Sequence, residues 1–165
     1  MSILTYIYSQ SVLIFQCIRI LILGQPYPGA KLAPGTIRLV VIEPGAFNRP
    51  IFCTLDTLSL DEGPAYRALS YTWGVTKHKK HIYLNGKSFL INRNLYDALK
   101  RLRSEQYRQT YWIDMLCIDQ KDADERSEQV ELMPDIYTKA KNTIFWLADT
   151  ENDTIDGRNV SVYLC

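Results

Sequence analysis

Apolar and polar positions along the chain fall into short extended runs separated by turn residues, with two stretches of helical period. Residues 36–42 (Thr-Ile-Arg-Leu-Val-Val-Ile) form a β-rich run closed by Pro44-Gly45, and residues 51–55 form a second, so the two are expected to pair as a hairpin. Residues 81–84 and 88–91 flank Asn85-Gly86, a pair that supplies the positive φ angles of a type I′ turn and predicts a second hairpin. Leu95, Ala98, Leu99 and Leu102 lie on one face of a helix over residues 95–103, with Asn94 placed to cap it and Lys100, Arg101 and Arg103 in its last turn.

Residues 111–118 are apolar except for Asp114 and read as a central strand buried on both faces, which leaves the acid to be explained. Asp122 followed by Glu125 has the spacing of a capping box, and Val130, Met133, Tyr137 and Ala140 repeat at helical spacing after it. Pro134 interrupts that pattern and predicts a kink or a break. Residues 143–147 close the unit as another buried strand. Strand, helix and strand in this order predict a crossover that makes the strands of residues 111–117 and 143–147 parallel. The expected class is α/β: a mostly parallel sheet with flanking helices plus an added β-hairpin.

Composition changes this picture little. A chain of 165 residues, 47% hydrophobic and 22% charged, fits one globular domain that needs no disulfide or metal staple. A formal charge of +1 argues against a dedicated nucleic-acid binder, because neutralising phosphates takes a basic surplus. Cys17, Cys53, Cys117 and Cys165 are too widely spaced for a zinc site and point to a reducing, cytoplasmic compartment; His78 and His81 have no acidic or cysteine neighbour, so no metal is expected. Residues 3–23 are apolar but interrupted by Thr5, Ser9, Gln10, Ser11, Gln16 and Arg19, which favours a buried segment or an irregular lead-in over a membrane span. The expected organisation is a lead-in over residues 1–35, a domain over residues 36–148, and an acidic tail over residues 149–165 that is either disordered or truncated.

Three blocks occur together: Tyr66-Arg67-Ala68-Leu69-Ser70-Tyr71-Thr72-Trp73-Gly74, then Tyr111-Trp112-Ile113-Asp114-Met115-Leu116-Cys117-Ile118-Asp119-Gln120, then Glu125-Arg126-Ser127-Glu128-Gln129-Val130 with Met133, Ile136-Tyr137, Ala140 and Trp146-Leu147. In order and spacing they resemble the fungal heterokaryon incompatibility (HET) domain, with the core motifs over residues 66–148. The resemblance implies an effector of non-self recognition between fungal cells that triggers cell death after fusion, and homotypic assembly of the domain. It also implies a distant similarity to TIR domains, some of which cleave NAD. Hydrolysis of a nicotinamide dinucleotide is then the alternative to the favoured, non-enzymatic signalling role, with NAD as its substrate and no cofactor. Two departures are plain: Ala148 stands where the family usually has Gly, and the family's later Arg-x-Trp-x-x-Gln-Glu block is absent, which leaves an inactive fragment open.

Ligands of open α/β sheets bind beyond the carboxyl ends of the strands, and the loops after residues 69–71 and 111–118 belong at such ends. Asp114 and Glu125 are therefore the candidate catalytic acids, with Ser70, Tyr71, Trp73, Gly74, Asp119, Gln120 and Arg126 as candidate ligand contacts. Asp114 or Glu125 would polarise ribose hydroxyls, Trp73 would stack on a planar ring, and Arg126 would hold a phosphate. Each has a plain structural reading as well: Asp114 tying down loop amides, Trp73 in the core, Glu125 and Arg126 serving the helix start. No nucleophile–base pair is legible. The basic run of residues 77–81 is expected to be a solvated loop outside this crevice.

Overall fold

A computed structural model describes residues 26–27, 31–73 and 78–147, and the backbone of residues 161–164. Among the described residues eight strands form one mixed sheet in the order β5-β4-β2-β1-β6-β3-β7-β8. The first hairpin pairs β1 (Thr36–Ile42) antiparallel with β2 (Phe52–Ser59) over the whole of β1. The second joins β4 (Lys79–Leu84) to β5 (Lys87–Asn92) through Asn85 and Gly86, whose φ values of 50° and 76° make the turn read from the sequence. This hairpin joins the sheet through a short parallel register, Phe52 and Cys53 of β2 against Tyr83 and Leu84 of β4.

At the centre, β3 (Arg67–Tyr71) runs parallel to both β6 (Gln109–Trp112) and β7 (Thr143–Leu147). The expected crossover exists, but β3 lies between its two strands, so β6 and β7 share a direction without touching. The α/β class stands, with three parallel and four antiparallel strand pairs among the described residues. Within the acidic tail, β8 (Ser161–Leu164) pairs antiparallel with β7 as an edge strand, and residues 148–160 and 165 lie outside the described residues.

Helix α1 (Arg93–Leu102) starts two residues earlier than predicted and is capped by Asn92, whose Oδ1 accepts the Leu95 N–H at 2.8 Å. Asn94, expected to be the cap, instead accepts from Trp146 Nε1 and donates to the Thr72 carbonyl. Leu95, Ala98 and Leu99 are buried as the periodicity required.

The run of residues 111–118 divides. Its strand ends at Trp112, and α2 (Asp114–Cys117) is a single helical turn in which the Cys117 and Ile118 amides return to the carbonyls of Ile113 and Asp114. A largely apolar run suits a buried turn of helix as well as a strand, and here the Asp114 carboxylate accepts the Met115 N–H at 2.6 Å in the first turn.

Helix α3 (Ala123–Lys139) continues as one element through Pro134. Its buried face is Glu125, Gln129 and Ile136, with Leu132, Met133, Tyr137 and Ala140 partly covered; Val130, expected in the core, is 57% exposed. The face is displaced because polar side chains that find partners take buried positions: Gln129 donates to the Thr36 carbonyl, and Glu125 meets Arg38. Trp112 packs edge-on against Tyr137, and the Tyr66 hydroxyl donates to the Ile136 carbonyl at 2.6 Å, fixing α3 to the sheet.

Candidate functional site

Parallel strands place the loops that follow them at one end of a sheet. Trp73 follows β3 and Asp114 follows β6, and their side chains meet: Trp73 Nε1 donates to Asp114 Oδ2 at 3.0 Å. The exit of β3 is held from the other side by the start of α1, where Asn92 donates to the Trp73 carbonyl at 2.6 Å. Trp73 thus keeps a fixed backbone and a committed indole N–H while its ring stays 44% exposed.

Next to this pair lies a cleft of about 330 Å³, lined by Trp73, Asp114, Gln120 and Arg126 together with Ile118, Ser127, Val130 and Met133. Gln120 Nε2 donates to the Asp114 carbonyl at 3.0 Å, and Arg126 donates to the Gln120 carbonyl. Burial pushes the Asp114 carboxyl above the ordinary aspartate range, against the opposing pull of the Trp73 and Met115 hydrogen bonds. Burial also raises Tyr71, whose phenol is close to Asp114, and takes Tyr137 up to about 12.

The other candidates lie elsewhere. Ser70 is within the sheet, on β3, near the phenol of Tyr137. Tyr71 sits behind Asp114 beside Asn92. Asp119 faces the neighbouring open surface of Lys121, Asp122 and Asp124, where its carboxylate accepts the Lys121 N–H. Gly74 and Lys77 lie outside the described residues, while Lys79 and Lys80 are exposed on β4 and do not line the cleft. Glu125 is 4% exposed and turned inward, where it forms a two-pronged ion pair with Arg38, itself 1% exposed; Arg38 Nη2 lies 3.0 Å from Glu125 Oε2. Of the two candidate acids, only Asp114 borders the cleft.

Arg38 escaped the sequence reading, although a lone arginine inside Ile-Arg-Leu-Val-Val-Ile was the available signal. Tyr27 was missed as well: its ring lies 5.1 Å from the Arg38 guanidinium carbon, and its hydroxyl donates to the Met115 carbonyl at 3.5 Å. Cys53 and Cys117 are free and buried, Cys117 with its thiol pushed up to about 12 by burial, so neither has thiolate character. Among the described residues no cluster of His, Cys, Asp or Glu is arranged to hold a metal ion, and no helix is long and apolar enough to cross a membrane.

The sequence profile of the heterokaryon incompatibility protein (HET) family matches residues 66–162, more than half of the chain, and spans β3 together with Trp73, α2, α3 and β7. The chain belongs to the HET family. Among curated proteins it is similar to heterokaryon incompatibility protein 6, OR allele, of Neurospora crassa, with 33% identity over 132 residues. That alignment covers 72% of this chain and 19% of the relative, so the chain spans about a fifth of the length of the protein it matches. No solved structure matches. The HET profile covers every residue lining the cleft.

Proposed function

We propose that this HET domain is an effector of fungal non-self recognition, and that engagement of the cleft between Trp73, Asp114 and Arg126 triggers the cell-death reaction of heterokaryon incompatibility. Membership of the HET family carries the reading, because the family match over residues 66–162 extends through the turns that build the cleft. In this reading the domain works in the cytoplasm by assembling with further copies of itself. The test is a chimaera in which this chain replaces the matching segment of heterokaryon incompatibility protein 6, expressed in a fungal host. Cell death is expected from the chimaera and not from its Asp114→Asn form; equal viability of the two would refute the proposal.

A second reading, hydrolysis of a nicotinamide dinucleotide, draws support from the raised Asp114 carboxyl beside the exposed ring of Trp73. A planar base fits that ring, and the remaining Arg126 N–H groups suit a phosphate. Against it, each Asp114 oxygen already accepts a hydrogen bond and Glu125 is sealed in an ion pair, so among the described residues neither candidate acid stands beside the cleft without a partner. Recognition therefore outranks hydrolysis. A fall in cellular NAD that depends on Asp114 would reverse that order.

A further inference from the structure

We infer that Arg38 and Glu125 act as a positioning pair: from inside the core they grip the start of the turn between α2 and α3, at the Cys117 carbonyl and the Asp119 amide, and so set the cleft without touching what binds there. This rests on the cleft being the working site.

Arg38 lies on β1, and its guanidinium donates to the Cys117 carbonyl at 3.2 Å, where α2 ends. Glu125 lies in the first turn of α3, and its Oε1 accepts the Asp119 N–H at 2.7 Å, two residues further along. The ion pair joins these two grips through both arms of the guanidinium. Gln120 comes next in the chain, and it is Gln120 that holds the Asp114 carbonyl and is held in turn by Arg126. Arg38, Glu125, the Asp119 amide, Gln120 and Asp114 thus form one line of contacts from the middle of the sheet to the cleft wall. Tyr27 closes the line from the β1 side.

The choice of a charged pair carries the functional argument. A buried ion pair generally adds no stability over well-packed apolar residues of similar volume, because desolvation offsets the attraction. Its distinctive property is directional: a planar fork and a carboxylate fix a backbone carbonyl and a backbone amide that apolar side chains leave free. Helix α3 also runs through a proline and lacks an apolar stripe near its start, so packing alone does not fix the register of the turn.

The experiment compares the full chain with the double variant Arg38→Met/Glu125→Leu and the single variant Glu125→Gln. The readout is the Trp73 indole N–H resonance, assigned by its loss in Trp73→Phe, and its shift with pH, which follows Asp114. The double variant is expected to melt within a few degrees of the parent while its Trp73 resonance moves and its titration midpoint falls toward that of an ordinary aspartate, as the turn relaxes and Asp114 becomes more exposed. Glu125→Gln keeps an acceptor for the Asp119 amide and is expected to retain the parental resonance and midpoint even if it melts lower. A parental resonance and titration in a folded double variant would overturn the proposal. If the double variant does not fold, Glu125→Gln decides alone: a retained signature supports the grip and a lost one overturns it. The measurement needs neither ligand nor cell death, so its outcome is independent of the effector reading.

Discussion

Asp114 is partly buried at the cleft wall with both oxygens engaged, and that burial raises its carboxyl. A folded-state value above the unfolded one means that the folded chain holds the proton more tightly. The contribution to stability is complete below the ordinary aspartate value of 3.8 and declines as pH rises through it toward the folded value. Comparing Asp114→Asn with the parent by denaturant unfolding across this range isolates the group, since the exposed Asp61–Lys139 pair, with the opposite sign, is common to both. The parent is expected to lose stability relative to the variant with rising pH; a flat difference would show that the raised carboxyl does not govern folding. The asparagine retains an oxygen for the Met115 amide but turns an N–H toward Trp73, so the variant should fold and release the indole. Glu125 obeys a harsher rule. Glu125→Ala leaves a guanidinium buried without its counter-charge, and unfolding free energy is expected to drop by about 3–5 kcal/mol, a loss that chemical denaturation reads directly; a change under 1 kcal/mol would mean that water reaches Arg38. The sequence showed Asp114 as an acid in an apolar run but not the role of Glu125, whose partner lies 87 residues away.

The elements explain why some of the fold was legible and some was not. The β4–β5 hairpin could be read because Asn85-Gly86 fixes its turn locally, and α1 could be read because its apolar stripe coincides with its buried face. The convergence of Trp73 and Asp114 was legible once the strands before them were taken as parallel. Residues 113–117 were not, since strand and buried helical turn share an apolar pattern, and neither was the face of α3, where Glu125 and Gln129 are buried in place of Val130. Helix α3 also carries a removable fault. Pro134 has no amide hydrogen to offer the Val130 carbonyl one turn back, and an interior proline costs up to about 3 kcal/mol. Pro134 is exposed, so alanine disturbs no packing. Pro134→Ala is expected to raise the thermal midpoint; a lower midpoint would show that the proline matches a backbone bend on which the packing of Ile136 and Tyr137 depends.

Across the whole molecule one apolar cluster joins both ends of the sheet: Ile82 and Ile91 of the β4–β5 hairpin, Leu95 and Leu99 of α1, Trp112 and Ile113 at the exit of β6, Ile136 of α3, and Ile144 and Trp146 of β7. Direct strand pairing between the hairpin and the rest is thin, a two-residue register with β2. Helix α1 makes the second connection, through Asn92 to Trp73 and Asn94 to Thr72 and Trp146, at the end of the sheet where the cleft opens. A molecule tied together in this way should unfold in one step, because neither the hairpin nor the β3–β7 region keeps its apolar face covered alone. Ile113 is fully buried between β6 and α2. Ile113→Asp places an unpaired charge there at a cost of several kcal/mol, and a loss of that size in a single cooperative unit removes all of it. Hydrogen exchange provides the check: in Ile113→Asp the amides of β4 and β5 are expected to lose protection together with those of β3 and β7, although the substitution lies in none of these strands. Protection retained in the hairpin and α1 alone would divide the domain into two folding units, and would place the cleft at the seam between them.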